Sequence, residues 1–165
     1  MSNRGIVNNL RGSGVTALAS NHIAVTADMT SATWNIANTH EVFTVTGTVR
    51  MWLWNLCTDT LTDAADAADI QYGVAGATDA FIASTAAAGK GGAAIATGEV
   101  WCDTSPAETY GNASSLILDK VISGGLDVGY EITGAALTGG TLVFHCVWVP
   151  LDDSGNVIAG AGGRL

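Results

Sequence analysis

The amino-acid sequence predicts an all-β fold, a β-sandwich or jelly roll with an extended N-terminal arm and a flexible C-terminal tail. Residues 42–57 (VFTVTGTVRMWLWNLC) alternate with period two and are rich in Val, Thr and Trp, the pattern of a strand with one buried face. Short apolar runs recur along the rest of the chain, separated by Gly-Gly pairs and Asp/Asn/Gly clusters, which are turn signals. Helical composition is confined to one short Ala-rich segment, 59–69, too brief to anchor a helical layer.

Taken in order, residues 1–14 carry Arg4, Arg11 and three glycines without periodicity and read as an arm. Short β-type runs follow at 15–19 and 23–27. The long strand of 42–57 places Phe43, Val45, Val49, Met51, Leu53 and Cys57 on one face and Arg50, Trp52 and Trp54 on the other, with a break expected near Gly47. Further strands are expected at 70–74, 81–83, 99–102, 116–122, 128–132 and 141–149. The last, centred on LVFHCVWV, is apolar on both faces apart from His145, as a central strand should be. Turns are expected at Gly124-Gly125, Gly139-Gly140 and Asp153–Asn156, and a loop over the small residues of 84–94. The domain proper is therefore 15–158, with 159–165 as the tail.

At 165 residues the chain is one domain and long enough for a sizeable core. Apolar residues make up 48% and charged residues 13%, which excludes an intrinsically disordered chain. The net charge of −9 argues against phosphate-backbone binding, so no nucleic acid is expected as partner. Arg4, Arg11 and Arg50 face only Asp28 and Glu41 within residues 1–50, so a mildly basic start precedes an acidic body. No apolar stretch is long enough for a membrane helix, and no signal-peptide pattern opens the sequence. Three cysteines, Cys57, Cys102 and Cys146, lie in apolar stretches and read as buried free thiols in a reducing compartment.

Motifs for chemistry are weak. Asp63, Asp66 and Asp69 would share a helix face, but they lack the glycine turn of a calcium loop and read as a solvated surface. Gly89-Lys90-Gly91-Gly92 lacks the P-loop spacing and its Ser/Thr. His22, His40 and His145 are far apart, and His145 in its apolar strand reads as a hydrogen-bonded core histidine. His145 and Cys146, being adjacent on a strand, point to opposite faces and cannot act together. No catalytic, cofactor-binding or metal-binding residue is therefore nominated. Trp52 and Trp54 share a face and are candidate interface aromatics.

The runs HEVFTVTGTVRMWLWNLC at 40–57, GEVWCDTSP at 98–106 and VISGGLDVGYEITGAALTGGTLVFHCVWVPL at 121–151, with abundant Ala, Thr and Gly and few Pro and Lys, resemble small β-rich virion proteins of tailed bacteriophages. The resemblance is one of style and covers about residues 40–151. It implies a non-enzymatic structural protein, most simply a capsid decoration or cement protein that stabilises the phage head through subunit contacts. It further implies synthesis in the host cytoplasm and residence on the capsid surface. The implied partners are the major capsid protein and further copies of the chain, commonly as a homotrimer. On that reading Arg4 and Arg11 of the arm would contact acidic capsid surface. One alternative is a fibre or tail-associated receptor-binding β module using Trp52 and Trp54 to hold sugar. The other is a ligand-binding or enzymatic jelly roll of the cupin type.

Overall fold

The computed structural model describes residues 21–88, 95–102, 108–109 and 117–165. The expected arm, the run at 15–19 and the candidates Arg4 and Arg11 lie outside the described residues. So do all four residues of the Gly89-Lys90-Gly91-Gly92 run. The described chain is all β, two antiparallel sheets packed face to face as a sandwich.

Sheet A contains β1 (His22–Asp28), β10 (Leu137–Pro150), β3 (Val49–Asp63), β6 (Glu99–Trp101) and β7 (Glu108–Thr109) in that order. β8 (Leu118–Ile122) also pairs with β3. β8 takes the stretch of β3 from Val49 to Leu53, and β6 takes Asn55 and Leu56 beyond it. Sheet B is ordered β11 (Asn156–Ala159), β2 (Thr39–Thr46), β9 (Val128–Thr133), β4 (Asp69–Val74) and β5 (Ala77–Ala86).

The break expected at Gly47 is a crossing between layers: β2 belongs to sheet B and β3 to sheet A. Gly47 has φ 62°, a left-handed conformation that glycine adopts without steric cost. Asp152 holds this corner. One carboxylate oxygen accepts from the Thr48 amide at 2.7 Å, and the other accepts from the Ser154 amide and hydroxyl. The hydrogen bonds from Thr48 and Ser154 bring the Asp152 carboxyl down to about 2. The turn expected at 153–156 is thus also the brace of the β2–β3 corner.

The inward residues of the long run, Phe43, Val45, Val49, Met51, Leu53 and Cys57, are all buried, as alternation predicts. Val42 is buried as well, because a register irregularity between Glu41 and Phe43 turns two neighbours inward. Between the layers Phe144 sits at the centre of an aromatic cluster. Its ring stacks on Tyr130 at 5.3 Å, meets Tyr72 at 5.4 Å and takes Trp101 edge-on at 6.4 Å.

Two expected elements are corrected. The helical segment over 59–69 does not form. β3 runs on to Asp63, because its edge is paired with β10 through Asp59, Thr62 and Asp63. The five residues that remain before β4 are too few to nucleate a helix. They fold into a tight loop around the Asp63 carboxylate, which accepts backbone N–H bonds from Ala65, Asp66, Ala67 and Ala68. The Gly139-Gly140 turn is likewise an irregularity inside β10, where the register with β3 shifts and Gly140 adopts φ 103°. At the other end of the chain, the expected flexible tail is tied down through residue 163. Gly160 and Gly162 donate to the carbonyls of Val42 and Glu41, and the Glu41 amide donates to Gly163.

Asp63 yields a testable stability effect. Partial burial pushes its pKa up, but the four amides outweigh that and hold it below the ordinary 3.8. Asp63→Asn replaces one acceptor oxygen by a donor facing two amide donors. The expected cost is about 2 kcal/mol, read as a lower urea midpoint at unchanged slope. Because the folded pKa is depressed, the wild-type contribution is complete above pH 3.8 and lost only as pH falls through the lower folded value.

The outer face of sheet A as candidate functional site

Strand alternation sends the residues between the inward ones of β1, β3, β8 and β10 to the outside of sheet A. β3 contributes Arg50, Trp52, Trp54 and Leu56. β10 contributes Val143, His145, Val147 and Val149. β8 adds Asp119 and Val121, and β1 adds His22, Ala24 and Thr26. The registers set them in rows: Val121, Arg50 and Val149 form one; Asp119, Trp52, Val147 and His22 the next; Trp54, His145 and Ala24 the third. The residues are half-buried or exposed, Val121 reaching 61% exposure.

The face is predominantly apolar, and its charges are matched internally. Arg50 grips Asp119 with two parallel bonds, Nε to Oδ1 at 3.0 Å and Nη2 to Oδ2 at 2.6 Å. The hydrogen bond from Arg50 is the main reason the Asp119 carboxyl titrates below its usual range. The Arg50 guanidinium lies 5.0 Å over the Trp52 ring, a cation–π contact. Arg50, Trp52 and Asp119 therefore form one rigid polar-aromatic unit.

One row away is a second unit. His22 Nε2 lies 3.2 Å from His145 Nδ1. Their ring centroids are 5.4 Å apart and the rings 14° from parallel. That separation is close to the nitrogen–nitrogen distance plus one ring radius at each end. The two imidazoles therefore lie side by side, nearly in one plane, joined by a single N–H···N bond. The Trp54 ring runs parallel to both, 5.0 Å and 3° from His145, 5.9 Å and 13° from His22. His145 is thus an outward, half-buried residue and not the core histidine expected from its apolar strand. Cys146 beside it points inward and is buried, so the expectation of opposite faces holds.

The buried histidine is His40, on β2, with both ring nitrogens 2.9 Å from backbone carbonyl oxygens, those of Thr33 and Ile36. Its ring stacks on Tyr130 at 4.8 Å. Cys57 and Cys146 are buried free thiols, and Cys102 is half-buried. Burial drives the thiols of Cys57 and Cys146 up to about 11 and about 12 respectively, which keeps them protonated and poor nucleophiles at neutral pH.

Of the sequence candidates, Trp52 and Trp54 are brought together on this face, as alternation predicted. Arg50 and Asp119 were not nominated; their pairing needs β8 beside β3, a long-range register. His22 and His145, 123 positions apart in the sequence, meet only because β1, β10 and β3 are neighbours. No protein-family profile, curated protein or solved structure matches this chain.

Proposed function

We propose that this chain is a non-enzymatic structural subunit of a tailed-bacteriophage virion, a capsid decoration or cement protein that docks on the major capsid protein. The observation that carries the reading is the outer face of sheet A, with Trp52 and Trp54 at its centre and an internally neutralised Arg–Asp pair beside them. Tryptophan and arginine in an apolar setting are the chemistry of interface hot spots. Around Trp52 and Trp54 the charged side chains among the described residues, Arg50 and Asp119, pair with each other, so the desolvation penalty there is small.

Four strands about 4.8 Å apart and seven residues of about 3.4 Å rise give a face of roughly 400 Å². That is about half of what one partner contributes to a standard interface. Firm attachment then requires further contacts from the same subunit or several copies acting together. Both fit a decoration protein that uses an arm carrying Arg4 and Arg11 and assembles as a homotrimer over a capsomer junction.

A receptor-binding fibre module would also use tryptophans on a sheet face. Sugar stacking needs a free ring face, and here Arg50 covers one face of Trp52 while Trp54 runs parallel to the histidine pair. The arrangement favours a protein partner over a glycan. The deciding experiment is copy number per purified particle relative to the major capsid protein. A ratio near one, or a simple fraction of it, is expected for a lattice-covering subunit. A few copies per particle would place the chain in a tail or fibre, and absence from particles would overturn the virion reading.

A further inference from the structure

The side-by-side imidazoles on Trp54 have a consequence independent of any docking partner. Among the described residues β1 is the edge strand of sheet A and pairs only with β10. Its fully buried inward residues, Val25 and Ala27, lie toward its carboxyl end, and Ile23 near its start is only half-buried against the core. Its first residue is His22, exposed, and just before it the Asn21 carbonyl accepts a 3.2 Å bond from the Trp148 amide. The amino-terminal end of the strand is thus held by the His22–His145 bond, the shared Trp54 ring, the half-buried Ile23 side chain and a small number of backbone bonds.

The N–H···N bond needs one nitrogen bare. With neither ring protonated further, one imidazole donates and the other accepts. With one extra proton the bond survives as a charge-assisted one. With both rings protonated, two N–H groups and two positive charges confront each other, and the contact becomes repulsive. We propose that His22 and His145 form a pH-operated latch that fastens the amino-terminal end of β1 to sheet A, closed at neutral pH and opened when both rings are protonated.

The surroundings support this sense. Among the described residues, the charged groups at this end of the face are Arg50 from β3 and Asp119 from β8, which neutralise each other. β10 presents no carboxylate here, and Asp28 and Asp59, on either side of Thr141, sit at the opposite end of the sheet from the histidine pair. Among the described residues, no nearby anion is therefore free to stabilise a doubly protonated pair. Burial, and after it the charge of His22, lower the His145 pKa below 6.5. A histidine whose folded pKa is lowered contributes stability that is present above 6.5 and lost as pH falls. Opening is confined to the first residues of β1, because Val25 and Ala27 remain buried.

The test is hydrogen exchange of the Trp148 amide in the full chain, expressed as a protection factor at about pH 7.5 and about pH 5. The Met29 amide, bonded to Gly140 at the other end of β1, serves as internal reference. Wild type should lose roughly tenfold protection or more at Trp148 in acid while Met29 holds. His22→Gln leaves one titrating ring and should abolish the pH dependence. Equal Trp148 protection at both pH values would overturn the latch. So would an acid loss that persists in His22→Gln, or a parallel loss at Met29, which would mean general loosening.

Discussion

Replacing Phe144 by alanine should destabilise the domain by about 4 kcal/mol, the range found when a large buried aromatic is truncated. Phe144 is fully buried on β10 and touches three other rings: Tyr130 and Tyr72 from sheet B and Trp101 from its own sheet. Its removal leaves a cavity between the layers that none of the three can fill, since each is held elsewhere. The Tyr130 hydroxyl donates to the Trp34 carbonyl at 2.6 Å, the Trp101 backbone carbonyl accepts from Asn55 at 3.1 Å, and Tyr72 pairs in register with both β5 and β9. For a chain of this size the loss corresponds to a melting temperature lower by roughly 12 °C, and it is a large share of a typical 5–15 kcal/mol total. Phe144→Leu should lose about 1–2 kcal/mol, because it conserves most of the volume. Thermal and urea unfolding of the two variants check the ranking, and near-equal losses would place the packing centre elsewhere.

The part of this architecture that is legible in the sequence is the part set by nearest neighbours along one strand. Alternation alone sorts Met51 and Leu53 inward and Trp52 and Trp54 outward, and both assignments hold. It fails where a partner strand decides. Alanine-rich 59–69 has helical propensity, but β10 offers a paired edge as far as Asp63, and tertiary pairing outweighs a few tenths of a kcal/mol of propensity per residue. Gly139-Gly140 has turn chemistry, yet both glycines relieve an irregularity within a strand whose two sides are occupied by β1 and β3. Local preference is the same in a turn and in a bulge; only the neighbours differ.

The candidate site divides along the same line. Trp52 and Trp54 are two residues apart, so their shared face follows from a single strand. Asp119 and the two histidines reach them through the order β1–β10–β3–β8, which no periodicity within any one segment encodes. His145 shows the cost of reading its strand as apolar on both sides: the residues flanking it in the row are Trp54 and Ala24, so an outward position there looks like an interior one. An apolar outward face therefore has the same sequence signature as a buried one. Only the second sheet, lying against the opposite side, tells them apart.

That ambiguity makes the outward tryptophans the place where the docking proposal is most exposed to test. Trp52→Ala and Trp54→Ala should each weaken binding to capsids lacking this protein by roughly 30-fold, the effect of losing about 2 kcal/mol at a hot spot. Both side chains point away from the inter-sheet core, so the melting temperature should fall far less than for Phe144→Ala. Trp52→Ala should show a second effect, because Arg50 loses its ring contact. Arg50 then becomes a more hydrated cation, and residual binding should turn salt-dependent. Replacing Arg4 and Arg11 together by alanine should give a weaker, salt-sensitive loss if the arm acts as a charged rim around this face. Co-sedimentation at low and high salt separates the three behaviours. Tryptophan variants that bind as wild type does would remove the outer face of sheet A from the interface and leave the arm as the site of attachment.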